Sequence, residues 1–146
     1  MEFSKIAALS GKSGLFRVVS PTRSGVILEA LDDSKQRIMA GANAKVSVLS
    51  EISIYSVGDE ESVPLIKILK NIHESYNGDT GIDKNATPDE LKAFFKTVLA
   101  DYDEDRVYVS DIKKVAMWYQ KLVAIDPQII IKAEIESSRD QIEEPS

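Results

Sequence analysis

Apolar and polar residues alternate along the first third of the chain and recur at helical spacing through the rest. Phe16/Val18, Val26/Leu28, Val46/Val48 and Ile52/Ile54 are the clearest alternating pairs. Alternation is the period of a strand that buries one face. It predicts strands over 15–20, 26–31, 36–40, 45–49 and 53–55. The connecting segments Pro21-Thr22-Arg23-Ser24-Gly25, Asp32-Asp33-Ser34-Lys35 and Gly41-Ala42-Asn43-Ala44 have turn composition. Ahead of them, Phe3, Ile6 and Leu9 with Gly11 just beyond predict a short helix over 2–9. Five short strands so close together predict a small barrel or a strongly bent sheet, because a lone hairpin is marginally stable and open edges need cover.

The period changes near Gly58–Pro64. Asp59-Glu60-Glu61 places acids ahead of a helix with Ser62 as its expected N-cap, where they complement the helix dipole. Leu65, Ile68, Leu69, Ile72 and Tyr76 form its apolar stripe, and Asn77-Gly78 ends it. Thr87-Pro88-Asp89-Glu90 reads as a capping box with proline at the first helical position. Leu91, Phe94, Phe95, Val98 and Leu99 follow at amphipathic spacing. A third helix is predicted from Ser110, burying Ile112, Val115, Ala116, Tyr119, Leu122 and Val123. Asp126-Pro127 opens a fourth, running to about 135, with a strand over 129–135 as the alternative. The expected class is α+β: an SH3-like β-barrel module over 1–58, a module of three to four helices over 59–136, and a flexible acidic tail over 137–146.

Charge sharpens this division. The 146 residues carry a net charge of −6. Residues 1–58 hold seven Lys/Arg and five Asp/Glu, and residues 59–146 hold eleven and nineteen. The first part is therefore +2 and the second −8. The acidic part disfavours general binding to nucleic acid or to an anionic membrane. The absence of cysteine excludes disulfides, thiol catalysis and cysteine-ligated zinc. No stretch approaches the ~20 apolar residues that span a bilayer. The apolar run Ile6–Leu9 is too short for a signal-peptide core, so a cytoplasmic protein with no membrane partner is expected.

Several motifs suggest chemistry and then depart from it. Gly11-Lys12-Ser13 matches part of a phosphate-binding loop, but Ile6 stands where the motif needs glycine, and a strand rather than a helix follows. A glycine turn is the plainer reading. Asp101, Asp103 and Asp105 alternate as in a calcium loop. Arg106 takes the place of its glycine and Ile112 that of its bidentate glutamate. A solvated acidic connection is expected instead, its acids pairing with Lys113 and Lys114, whose charges oppose the dipole in the first turn of the third helix. His73 is the sole histidine and lies beside an apolar stripe. The expectation is therefore no catalytic residue, no metal and no cofactor.

Two sets of residues suggest binding. Lys12, Arg17, Arg23, Lys35, Arg37 and Lys45 fall in the β module, several in or beside turns, and can gather on one rim as a nucleic-acid or partner surface. Solubilising edge charge is their plainer role. Trp118 and Tyr119 are a candidate interface, since such residues anchor contacts. Core packing explains them as well.

The segments Phe3-Ser4-Lys5-Ile6, Ser10-Gly11-Lys12-Ser13-Gly14-Leu15 and Ser24-Gly25-Val26-Ile27-Leu28-Glu29 resemble the start of a bacterial family known as a domain of unknown function. Val46-Ser47-Val48-Leu49-Ser50-Glu51-Ile52 and the run from Asp105 through Lys114 are similar to it too, so the resemblance spans about 1–125. It implies no activity. The function expected is a non-enzymatic adaptor that binds another protein. The alternatives are an RNA- or ribosome-associated protein using the basic rim, and an enzyme with an unfamiliar carboxylate site.

Overall fold

A computed structural model describes residues 2–12 and 14–133. The chain forms two compact units that divide between Ile52 and Ser53. The change of period near Gly58–Pro64 falls inside the second.

The first unit is an antiparallel sheet. A 3-10 turn, Phe3–Lys5, leads into β1 (Ile6–Leu9), followed by β2 (Phe16–Thr22), β3 (Gly25–Ala30), β4 (Arg37–Gly41) and β5 (Val46–Val48). The strand order is β4-β3-β2-β1-β5. Two expectations are corrected here. Residues 6–9 are a strand, not part of a helix. Ile6 is buried on one face and Ala7 and Leu9 on the other, so the three-residue spacing of Phe3, Ile6 and Leu9 reflects a turn running into an interior strand. The sheet is also open, with β4 and β5 as its edges, rather than a closed barrel. Its fifth strand comes from 6–9, because 53–55 pairs elsewhere.

One face of this sheet packs Leu9, Phe16, Leu28 and Ala40, flanked by Val18, Val26, Ala30, Ile38 and Val46. The pairs Phe16/Val18 and Val26/Leu28, and Val46, lie on this face, while Ile54 belongs to the second unit. A register shift between Val18 and Ser20 bulges β2, which bends it and increases its twist. Gly25 sits where a Cβ would lie 1.8 Å from the Ala40 carbonyl oxygen, so β3 and β4 approach there only without a side chain.

The second unit opens with a hairpin. β6 (Ser53–Tyr55) pairs antiparallel with β7 (Ser62–Pro64). Ser62 is thus a strand residue, not a helix cap, and α1 (Leu65–Tyr76) starts directly after Pro64. Asn77, left-handed at φ 49°, ends α1 where the sequence places its stop. α2 (Pro88–Val98) begins with the predicted capping box. Thr87 Oγ1 accepts from the Glu90 N–H at 3.1 Å, and Glu90 Oε1 accepts from the Thr87 N–H at 2.8 Å. α3 (Val109–Ile125) starts one residue before the predicted Ser110, and Asp111 accepts from the Tyr108 N–H at 3.0 Å. α4 (Gln128–Ile131) is one turn long, so no strand begins at 129. The acidic tail over 137–146 lies outside the described residues.

The predicted stripes meet in one core: Leu65, Ile68, Leu69 and Ile72 of α1, Leu91 and Phe95 of α2, and Ile112, Val115, Tyr119 and Leu122 of α3 are all buried. Among the described residues, no helix is long and apolar enough to cross a membrane.

Candidate functional site

On the face of the sheet opposite Leu28, the register aligns Arg17 with Glu29 and Glu29 with Arg37. Glu29 Oε1 accepts from Arg37 Nε at 3.1 Å and Oε2 from an Arg17 terminal nitrogen at 3.3 Å. The bonds from Arg37, and then from Arg17, hold the Glu29 carboxyl below its usual range. One carboxylate between two guanidiniums leaves one positive charge over, and Arg37 carries it on the edge strand. Next along the same face comes an apolar row in which Ile27 is opposite Met39. Met39 is 53% exposed.

Of the six basic candidates, Arg17 and Arg37 are joined through Glu29. Lys12, Arg23, Lys35 and Lys45 are exposed and lie between strands. Arg23 and Lys35 occupy the turns at opposite ends of β3, so the length of that strand separates them.

A second surface forms in the helical unit, where the acidic loop pairs with the chain leaving β6. The Asp103 N–H donates to the Tyr55 carbonyl at 2.9 Å and the Val57 N–H to the Asp101 carbonyl at 2.8 Å. Ser56 between them is buried; its Oγ donates to the Asp101 carbonyl and accepts from the Gly58 N–H. Ile54 and Ser56 therefore point inward. Tyr55 and Val57, on the alternate positions, are 46% and 69% exposed. The Arg106 guanidinium lies 4.3 Å from the centre of the Tyr55 ring, within cation–π range. Its Nε donates to Asp103 Oδ2 at 2.8 Å.

These bonds define what the acidic loop does. Asp103 is buried, its Oδ1 accepts from the Asp105 N–H at 3.0 Å, and the Arg106 bond above all holds its carboxyl below the usual range. The same bond raises Arg106. Arg106, which departs from a calcium loop at the glycine position, is the cation that Asp103 binds. Among the described residues no group of three or more His, Asp or Glu stands together to hold a metal ion. Glu104 pairs with Lys96 at 3.2 Å. Lys113, expected to pair with these acids, donates instead to the Lys84 carbonyl at 3.1 Å.

Tyr119 is completely buried. Its hydroxyl accepts from the Gly78 N–H at 2.8 Å and lies 2.9 Å from His73 Nδ1, to which it can give its own proton. Burial raises this hydroxyl above the ordinary tyrosine range. The side chain thus ties α3 to α1 and the loop after it. Its neighbour Trp118 is half-buried. Sequence reasoning overlooked Tyr55, Val57, Arg106 and Met39. The usable signal was strand alternation, which sets Tyr55 and Val57 opposite Ile54. The stacking of Arg106 on Tyr55 joins residues too far apart in sequence for any local pattern to show.

Residues 3–49 match the family model described as domain of unknown function DUF5606, and residues 52–122 match domain of unknown function DUF6852. A solution NMR structure of a protein from Bacteroides vulgatus, a structural-genomics target, is 38% identical. It superposes with a TM-score of 0.70 over 87% of this chain and 88% of that one. The chain belongs to a bacterial family of domains of unknown function. The two family models meet where the two compact units divide. No curated protein matches the chain.

Proposed function

We propose that the protein is a non-enzymatic interaction module of the cytoplasm that binds another protein through the Tyr55–Val57–Arg106 surface. The observation that carries this reading is the fixed pose of Arg106, stacked on an exposed tyrosine and anchored by a buried aspartate. Tyrosine and arginine dominate binding hot spots. Holding them in place before binding lowers the ordering cost of association. The partner is one that lays an apolar side chain on Tyr55 and Val57, because the Arg106 charge is already matched by Asp103.

The charged loop supports this reading over an enzymatic one, since the Asp103 carboxylate is engaged by Arg106 and by backbone. The sheet unit supports it over an RNA-binding one. Its two aromatic residues, Phe3 and Phe16, are buried, which leaves no ring on which a base can stack. We read the bent sheet itself as SH3-like, because β1 lies between the β2–β3–β4 meander and β5, and the bulge in β2 curves the sheet.

The test is affinity capture with the intact protein and with a Tyr55→Ser/Val57→Ser variant, each with and without nuclease. A partner that survives nuclease and is lost from the variant is the expected result. A partner that nuclease removes, or one that both proteins hold equally, overturns the reading.

A further inference from the structure

The sheet unit carries a second feature, independent of Tyr55 and its neighbours. β4 ends the sheet, and the Ala30 N–H donates to the Gln36 carbonyl at 2.8 Å. Bonding alternates along an antiparallel ladder. Ile38 and Ala40 are therefore the β4 residues that bond β3, and Arg37, Met39 and Gly41 turn their N–H groups outward. Among the described residues these three N–H groups have no acceptor; of the three carbonyls, that of Gly41 is used by the Ala44 N–H. Natural edges are blunted by proline, by charged side chains, lysine above all, or by cover. β4 has no proline and no lysine; its one charge, Arg37, lies at its first residue and already donates to Glu29, and Met39 is exposed.

The side chains on this edge specify what pairs with it. Across β2, β3 and β4 the ionic row reads Arg17, Glu29, Arg37: plus, minus, plus. Arg37 uses only Nε on Glu29, and its side chain is 58% exposed. The place beyond it fits a carboxylate. Two residues along, Ile27 and Met39 form the apolar row, and the place beyond Met39 fits an aliphatic side chain. Directly opposed pairs of these kinds are what stabilise a ladder.

We propose that β4 receives an extended segment of a partner protein as a sixth, antiparallel strand. The segment reads apolar-x-acid, with its apolar residue opposite Met39 and its carboxylate opposite Arg37. Backbone bonds to residues 37, 39 and 41 give the affinity, and the two side-chain rows set the register and the charge preference. The proposal stands whether or not the Tyr55 surface binds, since the two lie in different units.

The probe is a short peptide of alternating threonine and valine ending in Ile-Thr-Glu-Thr, with a Lys-for-Glu peptide as its control. Both are titrated into the isotopically labelled full chain at low salt. The amide signals of Arg37, Met39 and Gly41 are expected to shift, with the Glu peptide binding about fivefold tighter, as an opposed charge pair supplies. Arg37→Glu reverses that preference. Met39→Pro abolishes binding of both peptides, and proline is tolerated on an edge whose N–H faces solvent. Equal binding of the two peptides overturns the proposal, as do undiminished binding by Met39→Pro and no binding at millimolar peptide. So do two other occupants. A second copy would shift these signals with protein concentration alone, and a nucleic acid would shift them on addition of oligouridylate.

Discussion

Tyr102 and Tyr119 bury their hydroxyls in the same unit under opposite conditions. The Tyr119 hydroxyl has two partners, Gly78 and His73. Among the described residues, Tyr102 Oη is buried with no hydrogen-bond partner. The same substitution should therefore act with opposite sign. Tyr119→Phe strands a backbone N–H and a ring nitrogen and is expected to cost about 1–3 kcal/mol. Tyr102→Phe removes an unpaid desolvation and keeps the edge-on packing against Phe95. Its stability should be unchanged or higher by about 1 kcal/mol. Urea denaturation of the two variants checks both. Burial itself was readable for Tyr119 from its place in a helical stripe. The hydroxyl's partners were not, because they come from α1 and the loop beyond it.

Local rules decide some elements and fail at others. The Thr87 cap was legible because all its partners lie within one turn. Thr87→Ala should cost about 1 kcal/mol, measured as a lower unfolding midpoint. The β3–β4 contact at Gly25 shows the other case. Nothing local marks Gly25 as more than a turn glycine, yet a methyl group there meets the backbone of Ala40. Gly25→Ala is expected to destabilise the sheet by about 1–3 kcal/mol through a forced backbone shift. Amide exchange should speed up along β3 and β4 first. The misread β1 has the same origin. Phe3, Ile6 and Leu9 match a helix stripe by spacing, but strands on both sides claim residues 6–9.

For the molecule as a whole, each unit holds, among the described residues, a carboxylate whose proton is hard to add: Glu29 in the sheet and Asp103 beside the helices. Both folded values lie below those of the unfolded chain. Their stabilisation is therefore complete above about pH 4–5, the ordinary carboxylate range, and is lost as pH falls through the depressed values. Acid unfolding followed by circular dichroism should begin below that range. Glu29→Gln and Asp103→Asn should each lower stability at neutral pH and flatten the acid limb. At the alkaline end, Tyr102 and Tyr119 are both raised by burial. Their neutral hydroxyls favour the fold below about pH 10, and that contribution is lost as pH climbs through the raised values. Tyr119→Phe should blunt this alkaline loss.

The sequence by itself determined the α+β class, the three amphipathic helices, the Thr87 cap, the Asn77 stop and the family resemblance. These rest on periods and caps that a few neighbouring residues complete. Tertiary structure alone decided which segment supplies the fifth strand, since 6–9 and 53–55 are both short and only long-range pairing assigns each to its sheet. It also decided the destinations of the charges. Arg17 and Arg37 meet at Glu29 because register sets them opposite it. Arg106 reaches Tyr55 because the acidic loop folds back on β6. Charge sign is written in the chain, but whether a charge is spent inside the fold or left at its edge depends on partners that are distant in sequence.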